Sequence, residues 1–140
     1  MNITLQRLTD RIIYLQHHPA TDRPILSAVS GDTQTLIVDA GNSQAHAHLF
    51  MNALEQYGVT NYHSVILTHW HWDHSFGAHE MNLLTIAHEE TKSNLEKIKA
   101  YEWWDKELDE RVKRGIEHPF CAEMIKREFG HNRDYYYRFS

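Results

Sequence analysis

The short run Val65-Ile66-Leu67 leads straight into Thr68-His69-Trp70-His71-Trp72-Asp73-His74, and this junction is the tightest constraint in the chain. An aliphatic run of this kind reads as a buried strand, and residues two apart at its end point to one side of the backbone. Four side chains able to ligate a divalent ion then fall within six positions, in the order His, x, His, x, Asp, His. Neutral imidazole nitrogens and a carboxylate oxygen suit zinc and similar ions. His69 and His71 are spaced to hold one ion, while Asp73 and His74 are offset and better placed for a second. With 12 histidines among 140 residues, a neighbouring pair means little; the fourfold spacing carries the inference.

Toward the N-terminus, Ile3-Thr4-Leu5 and Ile12-Ile13-Tyr14-Leu15 read as two short strands around a turn at Thr9-Asp10. Gln16 to Pro24, with two prolines, is a loop whose His17 and His18 are expected in solvent. Leu26 to Ser30 and Thr35 to Val38 form a hairpin about Gly31-Asp32. Asp39-Ala40-Gly41 then turns the chain into a helix capped by Asn42 or Ser43, with Ala47, Phe50, Met51, Leu54 and Tyr57 on its apolar stripe and Gly58 at its end. His46 and His48 fall off that stripe and are expected in solvent. His79 lies in the loop beyond the ligand stretch, and Leu83 to Ala87 is a further strand. Ser93-Asn94-Leu95-Glu96 has the form of a capping box opening one long helix that ends at Gly115, with Leu95, Ile98, Tyr101, Trp104, Leu108 and Val112 along one face. The pair Trp103-Trp104 is read as packing. A last helix starts near Pro119 and stops at Gly130, before an aromatic tail, Tyr135-Tyr136-Tyr137-Arg138-Phe139.

A chain of 140 residues with 41% apolar content fits one domain. Its net charge of −5 gives no electrostatic footprint for nucleic acid or an anionic membrane. One cysteine, Cys121, excludes an internal disulfide, fits a reducing compartment, and reads as a packing residue. Arg7, Asp10 and Arg11 interrupt the start of the chain and no run of 18 apolar residues occurs, so neither a signal peptide nor a membrane span is expected and the expected location is cytoplasmic.

The stretch His69-Trp70-His71-Trp72-Asp73-His74, preceded by Thr68 and followed by Ser75-Phe76-Gly77, resembles the HxHxDH signature of the metallo-β-lactamase superfamily. The strand ending in Asp39-Ala40-Gly41 is similar to that family's Asp-x-Gly turn, and the segment from Ala87-His88 resembles its Ala-His-x-x-Thr strand end. The resemblance implies an α/β (α+β) fold, a mixed sheet with helices on one face that makes up the first half of an αββα sandwich. Residues 1–140 would be the N-terminal half of such a domain, with the C-terminal half absent. It further implies that His69 and His71 ligate a first metal and Asp73 and His74 a second, with Asp73 also the catalytic residue that orients water and Asp39 organising the loop. The cofactor would be one or two Zn2+ ions, with iron or manganese as alternatives, and the activity hydrolysis of a small-molecule ester, thioester, lactone, amide or phosphoester. The family draws a third His, a bridging Asp and a last His from downstream loops; here only His118, His131 and Asp134 stand as candidates. The opposing reading is a truncated, non-catalytic metal-binding relative, or a half-domain completed by another chain. A half-sandwich leaves one apolar sheet face open, so the expected assembly is a homodimer.

Overall fold

The computed structural model describes residues 4–130 of the chain. Six strands form one mixed sheet in sequence order: β1 (Gln6–Thr9), β2 (Ile12–Leu15), β3 (Leu26–Ser30), β4 (Thr35–Val38), β5 (Tyr62–Ile66) and β6 (Leu84–Ile86). The first four make an antiparallel meander, and β4, β5 and β6 run parallel. That change of sense requires crossovers, which helices supply: α1 (Gln44–Gln56) between β4 and β5, then α2 (Trp72–Ser75) and α3 (Ala78–Met81) between β5 and β6. Three helices follow: α4 (Glu89–Lys99), α5 (Asp105–Lys113) and α6 (Pro119–Phe129).

Strand register sorts the side chains into two faces. Ile13, Ala28, Ile37 and Val65 lie abreast on the face that receives Ala47, Phe50 and Leu54 of α1, and this is the principal core. The opposite face carries two rows, Ile12, Val29, Leu36, Ser64 and Leu84 in one and Tyr14, Ser27, Val38, Ile66 and Ile86 in the other. None of these residues belongs to either core cluster among the described residues. The expected arrangement of helices on one face of a mixed sheet is therefore present.

A second core gathers Trp72, Phe76, Ile98, Trp103, Leu108, Ile125 and Phe129 from α2, α4, α5 and α6 and the segments beside them. It explains why the single long helix expected from Ser93 to Gly115 is two. The chain leaves helical geometry after Ala100 so that Trp103 can stand edge-on to Phe76, with ring centroids 4.9 Å apart. The buried Arg111 guanidinium lies 4.8 Å from the Tyr101 ring centroid and 4.7 Å from that of Trp103, and donates to the Glu102 carbonyl, which fastens the break. Trp103 is thus core, whereas Trp104 caps α5 and stays exposed.

Other expectations shift. The first strand runs from Gln6, downstream of the Ile3-Thr4-Leu5 segment proposed for it. His46, expected in solvent, is 1% exposed. It sits in the first turn of α1, where the 39–43 turn folds over it: its Nδ1 accepts from the Asn42 N–H at 3.3 Å, and a Cβ on Gly41 would come within 2.8 Å of that nitrogen. A stripe read from the middle of α1 does not register burial imposed at its end. His48 is exposed, as expected. The aromatic tail, His131 and Asp134 lie outside the described residues.

Candidate metal centre

Asp39 directly follows β4 with φ of +62°, a left-handed conformation that a short polar side chain tolerates better than most. Its N–H still bonds the Ile66 carbonyl at 2.8 Å, so the turn stays fastened to β5 while its carboxylate is redirected toward the start of the ligand loop. Oδ1 accepts the Thr68 N–H at 2.8 Å, and the Thr68 hydroxyl lies 2.9 Å from Oδ2. Oδ2 also meets His74 Nδ1 at 2.8 Å. Burial works to raise the Asp39 carboxyl, but the bonds from His74 and Thr68 outweigh it and hold the group below the usual carboxylate range.

The same two segments are laced through the backbone. The Ala40 N–H donates to the His74 carbonyl at 2.9 Å and the Gly77 N–H to the Gly41 carbonyl at 3.0 Å. Contact is so close that a Cβ at Gly77 would stand 2.1 Å from the Ala40 oxygen. The Ser75 hydroxyl closes the loop from within by donating to the His71 carbonyl at 2.9 Å. Leu67 anchors one end of the loop in the principal core, and Trp72 and Phe76 anchor the other in the second.

Between these anchors, His69, His71 and Asp73 each present a ligand atom, and the three atoms lie within 4.8 Å of one another. Bonds of about 2.0–2.2 Å to a shared ion at tetrahedral angles set ligand atoms about 3.4 Å apart, so the donor set suits a divalent cation once the widest pair draws in by about 1 Å. His74 is placed differently. Its ring lies 4.2 Å from that of His69, but Nδ1 faces Asp39 and Nε2 faces Asp73 Oδ2 at 3.2 Å. Burial pulls the His74 pKa down; the bonds to the two carboxylates outweigh it and bring it up to about 9. An ion bound through Nε2 must displace that proton and the contact with Asp73, while Asp39 keeps hold of Nδ1. His69 moves the other way, lowered by burial and by the neighbouring charges of His74 and His71.

His18, His88 and His118 cap short or long helices, each accepting a backbone N–H two residues ahead through Nδ1. His118, a candidate third His, caps α6 through Nδ1 and is not among the three residues whose ligand atoms converge. His79 lines a cavity of about 500 Å³ bounded by α3, β6 and α4, which none of the four motif residues lines. Two residues that sequence reading passed over do approach the centre. Asp22, at φ +56° in the loop before β3, is raised by burial and then by the charge of Asp73. Cys121 on α6 is raised by burial, then by Glu117 and Asp73. The signal for Asp22 is only its place at the end of the His17–Pro24 loop; for Cys121 the sequence offers none, since its approach depends on how α6 docks. That docking rests on Arg23, whose guanidinium meets Glu128 at 2.7 Å, and on the hydroxyl of Ser43, which bonds the same carboxylate.

The sequence matches the family model of the metallo-beta-lactamase superfamily over residues 24–136. Among solved structures, the DIM-1 metallo-beta-lactamase is similar over 71% of this chain and 48% of its own, at 17% identity and a TM-score of 0.59. MEM-A1, a subclass B3 metallo-beta-lactamase from a soil metagenome library, covers 64% of this chain and 34% of its own, at 14% identity and a TM-score of 0.54. A variant of the sec-alkyl sulfatase PisA1 covers 70% of this chain and 17% of its own, at 14% identity and a TM-score of 0.57. The chain thus spans about half the length of DIM-1 and less of the other two. No curated protein sequence matches it. Likeness at such identities concerns the fold alone, and the family match over most of the chain adds descent: this chain belongs to the metallo-beta-lactamase superfamily.

Proposed function

We propose that this chain is the metal-holding part of a metal-dependent hydrolase. The observation that carries the reading is the convergence of His69, His71 and Asp73 ligand atoms within 4.8 Å on a loop braced by Asp39. Zinc is the proposed ion, with iron or manganese as alternatives, and His74 is its fourth protein contact or part of a second site. When bound there, such an ion supplies Lewis acidity and makes water a stronger acid near neutral pH.

The chain's own residues divide the remaining work. His69 and His71 bind as neutral imidazoles, which the lowered pKa of His69 favours. Asp39 fixes the His74 ring through Nδ1 and leaves Nε2 aimed at the Asp73 carboxylate. Asp73 is the proposed catalytic residue: one carboxylate oxygen would hold the ion and the other would orient a water toward the reacting carbon or phosphorus centre. The substrate is a small ester, thioester, lactone, amide or phosphoester.

A second reading is favoured by one specific observation, the coverage of only 48% of DIM-1 and 34% of MEM-A1. In it, the 140 residues bind metal but turn over substrate only when completed by a further chain, or not at all. No described helix is long and apolar enough to cross a membrane, and we retain the cytoplasm as the proposed location. Metal analysis of protein purified without added zinc tests the shared element of both readings: wild type retains a stoichiometric ion, His69→Ala/His71→Ala does not, and equal content sinks the assignment. Turnover of generic lactone, thioester and phosphodiester substrates by the metal-loaded chain, abolished in Asp73→Ala, separates hydrolase from non-catalytic relative.

A further inference from the structure

We propose that the cavity between α3, β6 and α4 is a binding site for a medium-chain carboxylate, an apolar chain ending in one negative charge. The inference is independent of the metal reading, because none of the four motif residues lines this cavity. It lies on the helix-covered face of the sheet. The core row Ile13, Ala28, Ile37 and Val65 continues in register to Thr85 on β6, yet Val65 is fully buried and Thr85 is exposed. The helix layer therefore parts over the last strand, with α3 on one side of the gap and α4 on the other. Toward the ligand loop the cavity is closed by Leu67 and by Ser75, whose hydroxyl donates to the His71 carbonyl and so has no proton to offer a ligand.

Two features identify the ligand. The first is the shape and nature of the interior. Leu67, Leu83 and Leu95 form apolar walls, and the small residues Ala78, Ala87 and Thr85 stand where longer side chains would close the gap. The volume of about 500 Å³ falls within the roughly 300–1,000 Å³ usual for small-molecule sites. The second feature is charge at the rim. Lys92 and Lys99 are seven residues apart on α4, which places them on one face of the helix and about 10 Å apart along its axis. Neither enters an ion pair among the described residues, and Glu96 between them is the one acid among the described lining residues. Two ammonium groups against one carboxylate leave a positive rim on a chain whose net charge is −5. Their aliphatic stems extend the apolar wall while their charged heads stay in water, so a ligand meets cations at the mouth and hydrocarbon inside. Glu96 also limits the charge of that ligand. It repels a dianionic phosphate more strongly than a monoanion, and lysines lack the planar fork that grips phosphate at two oxygens. A cationic amphiphile would face two like charges.

Calorimetric titration of the 140-residue chain with sodium decanoate, below micelle formation and with chelator present, tests the proposal. Wild type binds one decanoate with a dissociation constant of about 100 µM, and decanol, the same chain without the charge, binds about 10-fold more weakly. Lys92→Glu/Lys99→Glu, at two exposed positions, weakens decanoate binding by about 10-fold or more and leaves decanol unchanged. Thr85→Trp sets an indole into the gap from an exposed strand position and removes binding of both. His69→Ala/His71→Ala binds decanoate as wild type does, which separates this cavity from an anion held at the ligand loop. Far-UV circular dichroism shows that the variants remain folded; should Thr85→Trp fail to fold, the lysine reversal decides by itself. No saturable binding, binding indifferent to Lys92→Glu/Lys99→Glu, or binding lost in His69→Ala/His71→Ala overturns the proposal.

Discussion

Acidification tests the burial of His46 directly. The side chain is 1% exposed, and burial, followed by the nearby charge of Arg23, drops its pKa from 6.5 to about 3. The unfolded chain therefore binds a proton that the folded chain refuses, and stability rises with pH between these two values. His46 costs nothing above about pH 6.5, where both states are neutral; below that it removes about 1.4 kcal/mol for each pH unit. By pH 5 the loss is about 2 kcal/mol, a substantial part of the roughly 5–15 kcal/mol typical of a domain. The assay is urea unfolding at pH 7, 6 and 5, with chelator present so that proton competition at the ligand histidines does not contribute. His46→Gln keeps an acceptor for the Asn42 N–H but cannot titrate. It starts less stable at pH 7 yet falls more gently, and its curve converges on wild type in acid. His74, whose pKa is raised to about 9, works in the opposite window: its contribution is fully present below 6.5 and fades as pH climbs through 9, so it adds no slope between pH 5 and 6. Parallel curves for wild type and His46→Gln would refute the argument.

Three further outcomes follow from the same contacts. Gly77→Ala places a Cβ 2.1 Å from the Ala40 oxygen and lowers unfolding free energy by about 3 kcal/mol or more, read from the urea midpoint. Asp39→Ala removes the acceptor shared by Thr68 and His74, and competition with a chromophoric chelator records metal affinity weaker by about 10–100-fold. Arg23→Met strands the Glu128 carboxylate, 2% exposed at the side chain, and costs about 3 kcal/mol in thermal or urea unfolding, whereas Arg23→Met/Glu128→Met recovers most of that loss.

What could be read in the sequence is what depends on neighbours along the chain. The hairpin at Leu26 to Val38, the Ser43-capped α1 and the presence of a strand near Val65 announce themselves by local pattern and punctuation, although that strand runs Tyr62–Ile66 where Val65 to Leu67 was expected. The ligand loop is legible for the same reason, since its spacing is local. Failures cluster where a distant segment decides. His46 looked solvated on a helical wheel because the segment that buries it, Asp39 to Ser43, is a turn with no periodicity of its own. The capping-box pattern at Ser93 lies inside α4, which begins at Glu89 with His88 as its cap, and the helical stripe through Tyr101 and Trp104 ignores the pull of Phe76 on Trp103. That His118 caps α6 ahead of Pro119 was likewise not read from the sequence.

The position of the ligand loop follows from a competition between two anchors. Leu67 ties its start to the sheet core and Trp72 ties its end to the helical core, so any shift of the helices would carry Asp73 away from His69. Asp39 opposes that drift because its single carboxylate binds both ends, Thr68 at the start and His74 at the close. Its left-handed backbone is what allows one residue to reach both while its N–H remains bonded to β5. An Asp here therefore does more than a glycine could: glycine would relieve the conformation but supply no carboxylate, and a longer Glu would keep the charge while carrying it past Thr68. The strain at position 39 and the geometry of the candidate centre are thus coupled through one side chain, which makes Asp39 the residue whose loss should loosen metal binding without touching a ligand.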